Sequence, residues 1–231
     1  MSDIRSGIKA GAGIVPTFVM MFMAYGLAAS VAQIPDWTAW LTTLLVFASP
    51  AQFAMVDVVA QGGGVVQLVS IAVVVNLRFF VMSLTLAGVF DRDRRASHLL
   101  WCQFVSATTY LVTFFHWRRG AVDDPFVFYQ GIVLAILPAA LIGTAAGLWF
   151  GAAVPAVVAF GATLFVPVYF SLLIVGEKSS RTEFVAILLG FILTPPVELL
   201  IPGWGLFVVA LSVGIGLYAV SSGSSKEDSN D

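Results

Sequence analysis

The chain has 231 residues, 59% hydrophobic and 10% charged, with a formal net charge of -2, against roughly 25% charged residues in an ordinary soluble domain. That composition places it in a membrane, and its scattered Lys and Arg residues exclude a nucleic-acid surface or a polybasic lipid-binding tail. A single cysteine, Cys102, excludes an intrachain disulfide and a cysteine metal cluster, and with only His98 and His116 a zinc site is disfavoured.

Arg5 and Lys9 precede the first apolar run, as in a secretory signal. The many apolar segments that follow make this run a retained first span. A spanning helix needs about 20 mainly apolar residues. Eight segments approach that length: Gly11 to Ala32, Trp37 to Val59, Val65 to Phe90, Leu99 to Trp117, Phe126 to Phe150, Val154 to Val175, Phe184 to Ile201 and Trp204 to Val220. The last two are short and are separated by Pro202 and Gly203 alone, so seven spans with a broken or re-entrant piece is the alternative count. The expected fold is all-α: a polytopic integral membrane protein of seven or eight transmembrane segments with proline-broken helices. One transmembrane domain covers 1–220, and the polar tail 221–231 is expected to be disordered.

With eight spans and the N-terminus inside, Arg5, Lys9, Arg118, Arg119, Lys178, Arg181 and Lys226 lie on the inner side, and Arg92, Arg94 and Arg95 lie outside. This balance favours a cytoplasmic N-terminus. The outer cluster is awkward, and it would move inside if the second segment were re-entrant. That variant alone splits the ten basic residues evenly, so charge does not support it. An internal repeat is also visible: AYGLAASVAQIPDWTAW from Ala24 reads like AAGLWFGAAVPAVVAF from Ala145, each followed by a proline-interrupted segment, at Pro50 and Pro167. Pseudo-repeat halves of about 7–118 and 126–220 follow, parallel or inverted according to the span count.

Pro16, Pro50, Pro138, Pro167, Pro195 and Pro196 lie inside apolar segments. Each removes a backbone donor and crowds the carbonyl four residues earlier, so Pro50 frees Val46 and Pro167 frees Thr163. A single proline reads as a simple kink; Pro50, beside Ser49 and Gln52, reads as a site. Broken helices present their ends to charged groups, an N-terminal half-helix to a carboxylate and carbonyls to an amine. Ser49 and Gln52 share a helix face and either line a cavity together or bond to a neighbouring helix.

Arg78 is the strongest candidate. It stands about 13 residues from either neighbouring segment end, roughly 20 Å along a helix, and so cannot readily reach water. A charge there costs roughly 3 kcal/mol on insertion scales and belongs against a cavity or a partner. It serves either a substrate or as a buried tether. Asn76 is two residues away and faces nearly the opposite surface of a regular helix. Asp57, close to the Gly62 turn, and Glu198, after Pro195 and Pro196 where the helix should stop, are proton-coupling candidates or merely interfacial acids. His98 and Cys102 share a face but lack further ligands. Gly143 and Gly147 form a G-x-x-x-G pair suited to close internal packing. The Gly62 to Gly64 turn lacks the lysine and hydroxyl residue of a phosphate loop, and no catalytic set, metal site or cofactor motif is present.

The stretches GIVPTFVMMFMAYGLAAS, FASPAQFAMVDVVAQGG and VVVNLRFFVMSLTL resemble the AzlC family, the large subunit of two-component branched-chain amino acid exporters. The S-P-A-Q-F stretch from Ser49 and the N-L-R stretch from Asn76 carry most of the likeness. Pro50 and Ala51 stand where the family often has glycine and small residues, and Phe79 and Phe80 where it often has histidine or tyrosine first. The resemblance implies export of leucine, isoleucine, valine and sometimes methionine, with a small AzlD-type membrane subunit as partner. The expectation is therefore a multi-pass transporter of the inner (plasma) membrane, not an enzyme. It would work by alternating access on an ion gradient, since no nucleotide-binding motif exists. The expected substrate-binding residues are Arg78, Asn76, Gln52, Ser49 and Pro50. Export of another small organic solute, or an assembly role beside a partner that holds the site, are the alternatives.

Overall fold

The computed structural model describes residues 2–90, 95–151, 153, 181–201, 205, 208, 209 and 211–217. Among them every regular element is helical: α1 (Ser2–Ala12), α2 (Val15–Val31), α3 (Asp36–Leu45), α4 (Ser49–Ala60), α5 (Val65–Val89), α6 (Arg95–Trp101), a 3-10 turn (Cys102–Phe104), α7 (Ala107–Arg118), α8 (Pro125–Gly151) and α9 (Arg181–Leu200). Residues 211–217 are also helical. The expected span 154–175, with Pro167 and Thr163, and the tail 221–231 lie outside the described residues, so the second half of the repeat is described only in part.

α8 is the spine. Asp124 caps it by accepting hydrogen bonds from the amides of Phe126 at 3.0 Å and Val127 at 3.1 Å. Pro125 fills the first helical position, where no amide is needed. Pro138 does not interrupt it. α1 and α2, bent by 57° to one another, lie along its length. Glycines make this possible: Gly7 faces Phe128 and Gly131, Gly11 faces Ile132, Gly143 faces Val19, and Gly147 faces Met23 and Gly26. A side-chain carbon added at Gly143 would stand 2.5 Å from the Val19 carbonyl oxygen, and one at Gly26 2.5 Å from that of Thr144. The G-x-x-x-G pair thus serves internal packing, as its spacing suggested. Because numbers rise together along both partners, α1–α2 runs parallel to α8.

The second and fourth apolar segments are each broken into two helices. α3 enters from the end where α2 finishes, with Thr43 bonded to Thr144 at 3.0 Å, and its chain reaches Phe47 against Phe18 and Phe22. α4 then turns back, bringing Phe53 to Tyr25. α5 runs from there to the opposite end, where Phe90 meets Phe126 and Tyr129 at the start of α8. From that end α6 enters, with His98 against Phe126. The 3-10 turn brings Phe104 to Phe47, and α7 returns to place His116 against Phe128. Each of these segments is a helical hairpin, and the two meet tip to tip.

The described residues do not establish seven or eight spans. By length and composition, α5 and α8 can cross a membrane, and the bent α1–α2 pair makes a third span among the described residues. Arg5, Lys9, Arg118 and Arg119 belong to the end where α1 and α8 begin, and α6 starts there at Arg95, while 32–35 and 61–64 contain no Lys or Arg.

A further correction concerns Pro195 and Pro196. They were expected to stop the helix, yet α9 continues through both to Leu200. An apolar surrounding leaves helix as the cheapest backbone state. The Thr194 hydroxyl also donates to the Gly190 carbonyl at 2.6 Å. The stop comes instead ahead of Pro202.

Candidate functional site

Where the two hairpin tips meet, they enclose a small cavity of about 30 Å³ against the middle of α5 and one face of α2. One tip contributes Phe47, Ala48, Ser49 and Pro50; the other contributes Ser106, Ala107 and Thr108. Arg78 and Phe79 come from α5. α4 and α7 both begin here, so two helix N-termini, each equivalent to roughly half a positive charge, converge with the guanidinium. The cavity is a place for negative charge.

The two N-termini are finished differently. Ser106 caps α7, accepting from the Thr109 amide at 3.2 Å while its own amide donates to the Thr109 hydroxyl at 2.8 Å. At α4 the capping position is Ala48, which has no side chain to do this, and no side-chain cap bond forms. Ser49, 2% exposed, leaves its hydroxyl oxygen without a hydrogen-bond partner. An uncapped helix start and an unpartnered buried hydroxyl therefore face the same hollow as Arg78. The chain reaches this geometry through Phe47, whose φ of 44° is unusual for an aromatic residue and costs about 1–3 kcal/mol. Its ring, 2% exposed and packed on Phe18, Phe22 and Phe104, holds it there.

One turn along α4, a buried polar layer joins four helices. The Tyr25 hydroxyl of α2 bonds to Thr42 of α3 at 2.6 Å. Gln52 of α4 donates to the Thr43 hydroxyl at 3.4 Å, and Thr43 pairs with Thr144 of α8. The Gln52 side-chain oxygen, in a residue 1% exposed, is without a partner. Sequence reasoning missed Tyr25, Thr42, Thr43 and Thr144; the signal was the adjacent pair Thr42 and Thr43 in an otherwise apolar run.

Of the residues expected at a site, Ser49, Pro50 and Arg78 come together at the cavity. Pro50 does not kink a continuous helix but sits in the first turn of α4, after the break. Ser49 and Gln52 divide the two roles open to them: Ser49 lines the cavity and Gln52 bonds to a neighbouring helix. Asn76 is not among the lining residues. Arg78 is exposed at the cavity's edge, with its guanidinium carbon 4.6 Å from the centre of the Phe79 ring. Asp57, exposed near the end of α4, and Glu198 of α9 come within electrostatic range of each other. Glu198 also accepts a hydrogen bond from the Gly205 amide at 2.8 Å. Among the described residues no group of three or more His, Cys, Asp or Glu side chains could hold a metal.

No curated protein and no solved structure matches the chain. A family model described as AzlC protein matches residues 13–154, the stretch that holds α2, both hairpins, α5 and α8. The match covers well over half of the chain, which belongs to the AzlC family.

Proposed function

We propose that this AzlC-family chain exports branched-chain, apolar amino acids across the inner membrane by alternating access, driven by an ion gradient. Membrane transport of branched-chain amino acids is the general function of its family. The observation that supports this reading is the convergence of Arg78, the uncapped start of α4, the start of α7 and the Ser49 hydroxyl on one hollow. Such a set binds a carboxylate without needing a second charged side chain. In this reading the ammonium donates to the Gln52 oxygen, one turn away and without a partner. A hollow of about 30 Å³ holds a carboxylate or two waters. Admitting the whole substrate requires the hairpin tips to part, which is the movement alternating access needs.

The end bearing Arg5, Lys9, Arg118 and Arg119 and the start of α6 is the cytoplasmic one, and the N-terminus lies there. Asp57 and Glu198 are at the opposite end, where a proton could be exchanged with the outside. A small AzlD-type membrane subunit completes the exporter. The test is efflux of labelled leucine, isoleucine, valine and methionine from preloaded cells expressing the chain with and without that subunit. Efflux that needs the subunit and falls at least tenfold in Arg78→Gln, at normal expression and insertion, is the expected outcome. Undiminished efflux by Arg78→Gln would remove the substrate role from Arg78, and no efflux of any of the four would overturn the substrate class.

A further inference from the structure

A second, larger hollow of about 140 Å³ lies between the last turns of α5, α6 and the start of α8. Its walls include Phe80, Ser83 and Ala87 of α5, Cys102 and Val105 of the second hairpin, and Tyr129 of α8. It is almost wholly apolar, since the Tyr129 hydroxyl is turned away to donate to the Trp101 carbonyl at 2.9 Å and the Cys102 thiol to that of Leu99 at 3.0 Å. It cannot receive a charged head group. It is, however, next to the anion site. Phe79 lines the small cavity and Phe80 the large one; Ser106 lines the small cavity and Val105 the large one. Consecutive residues on two different elements thus line the two hollows, which makes them neighbours.

We infer that this apolar hollow receives the substrate's side chain while the carboxylate is held at the hairpin tips, and that it sets the preference for branched side chains of three or four carbons. The inference rests on the carboxylate reading of the small cavity. The small cavity has no volume for a side chain, and the large one is mostly apolar, with Ser83 and His98 as polar members of its lining. It lies on the Arg-rich end of the molecule, so a substrate leaving that compartment passes it first.

Two measurements test this with the full chain and its small subunit. In the first, efflux is compared across alanine, 2-aminobutyrate, valine and leucine in the native chain and in Ala87→Leu, which fills the hollow. The leucine-to-alanine efflux ratio should fall about tenfold in the variant, the size of effect that one or two methylenes have in an apolar pocket. In the second, Cys102, the only thiol in the chain, is reacted with methyl methanethiosulfonate. Saturating leucine should slow its modification at least fivefold, and alanine should slow it little. An unchanged ratio, an equal loss for all four amino acids, or modification indifferent to leucine would overturn the inference and mark the hollow as a slot for a lipid chain. If the native chain moves none of the four, the transport reading itself fails, an outcome distinct from an unaltered ratio.

Discussion

At the scale of single residues, the protein solves one problem by two means: how to keep polar atoms in a region without water. In the layer behind the tips they satisfy one another. Thr43 is the node, donating to the Ala39 carbonyl at 2.9 Å and meeting both Thr144 and Gln52. Thr43→Val keeps the shape and removes the node, so Thr144 and Gln52 lose a partner. The expected loss is about 1–2 kcal/mol, visible as a lower unfolding temperature in detergent; a change within about 0.3 kcal/mol would show the layer to be idle. At the tips, by contrast, Ser49 is left unpartnered and Ala48 cannot cap. That asymmetry is what the proposed carboxylate site rests on. Arg78 was legible in the sequence because a charge so far from either segment end must have a purpose. The polar layer was not, because threonine in an apolar run looks the same whether it bonds to its own helix or to another.

At the scale of elements, glycine decides which helices form the spine. Where Gly147 meets Gly26, added bulk would press on backbone, which cannot give way: the Leu27 amide nitrogen would be 2.7 Å from a side-chain carbon. Gly147→Leu should cost more than about 3 kcal/mol and abolish folded protein in detergent. Gly190→Ala, with nothing within 4 Å, should stay within about 1 kcal/mol of the native chain. Size-exclusion profiles of the two variants check this, and matching profiles would refute the spine. The G-x-x-x-G spacing announced this packing, but the broken segments were only half readable. Trp37 to Val59 and Leu99 to Trp117 have the length and composition of spans. Pro50 marks one break; the other, at Cys102 to Ser106, contains no proline or glycine. There the Ser106 capping box starts a new helix, a signal weaker than the surrounding hydropathy.

At the scale of the whole molecule, the described residues hold two helices and one bent pair long and apolar enough to cross a membrane, and two hairpins whose tips bring helix N-termini together. The placement of Gln61 distinguishes this from eight crossings. It follows α4, and with a re-entrant α3–α4 hairpin it faces outward, whereas a crossing second segment would put it inside. In a Cys102→Ser background, an impermeant maleimide added to intact cells should label Gln61→Cys and should label Ala121→Cys only after permeabilisation. Protection of Gln61→Cys in intact cells would restore the crossing. The central claim is that the meeting point of the tips holds a carboxylate, and calorimetric binding of leucine and leucinamide to the purified complex tests it most directly. The account predicts that leucine binds, that leucinamide, lacking the carboxylate, does not compete, and that Arg78→Gln weakens leucine at least tenfold. Equal competition by leucinamide, or unweakened leucine binding by the variant, would contradict it.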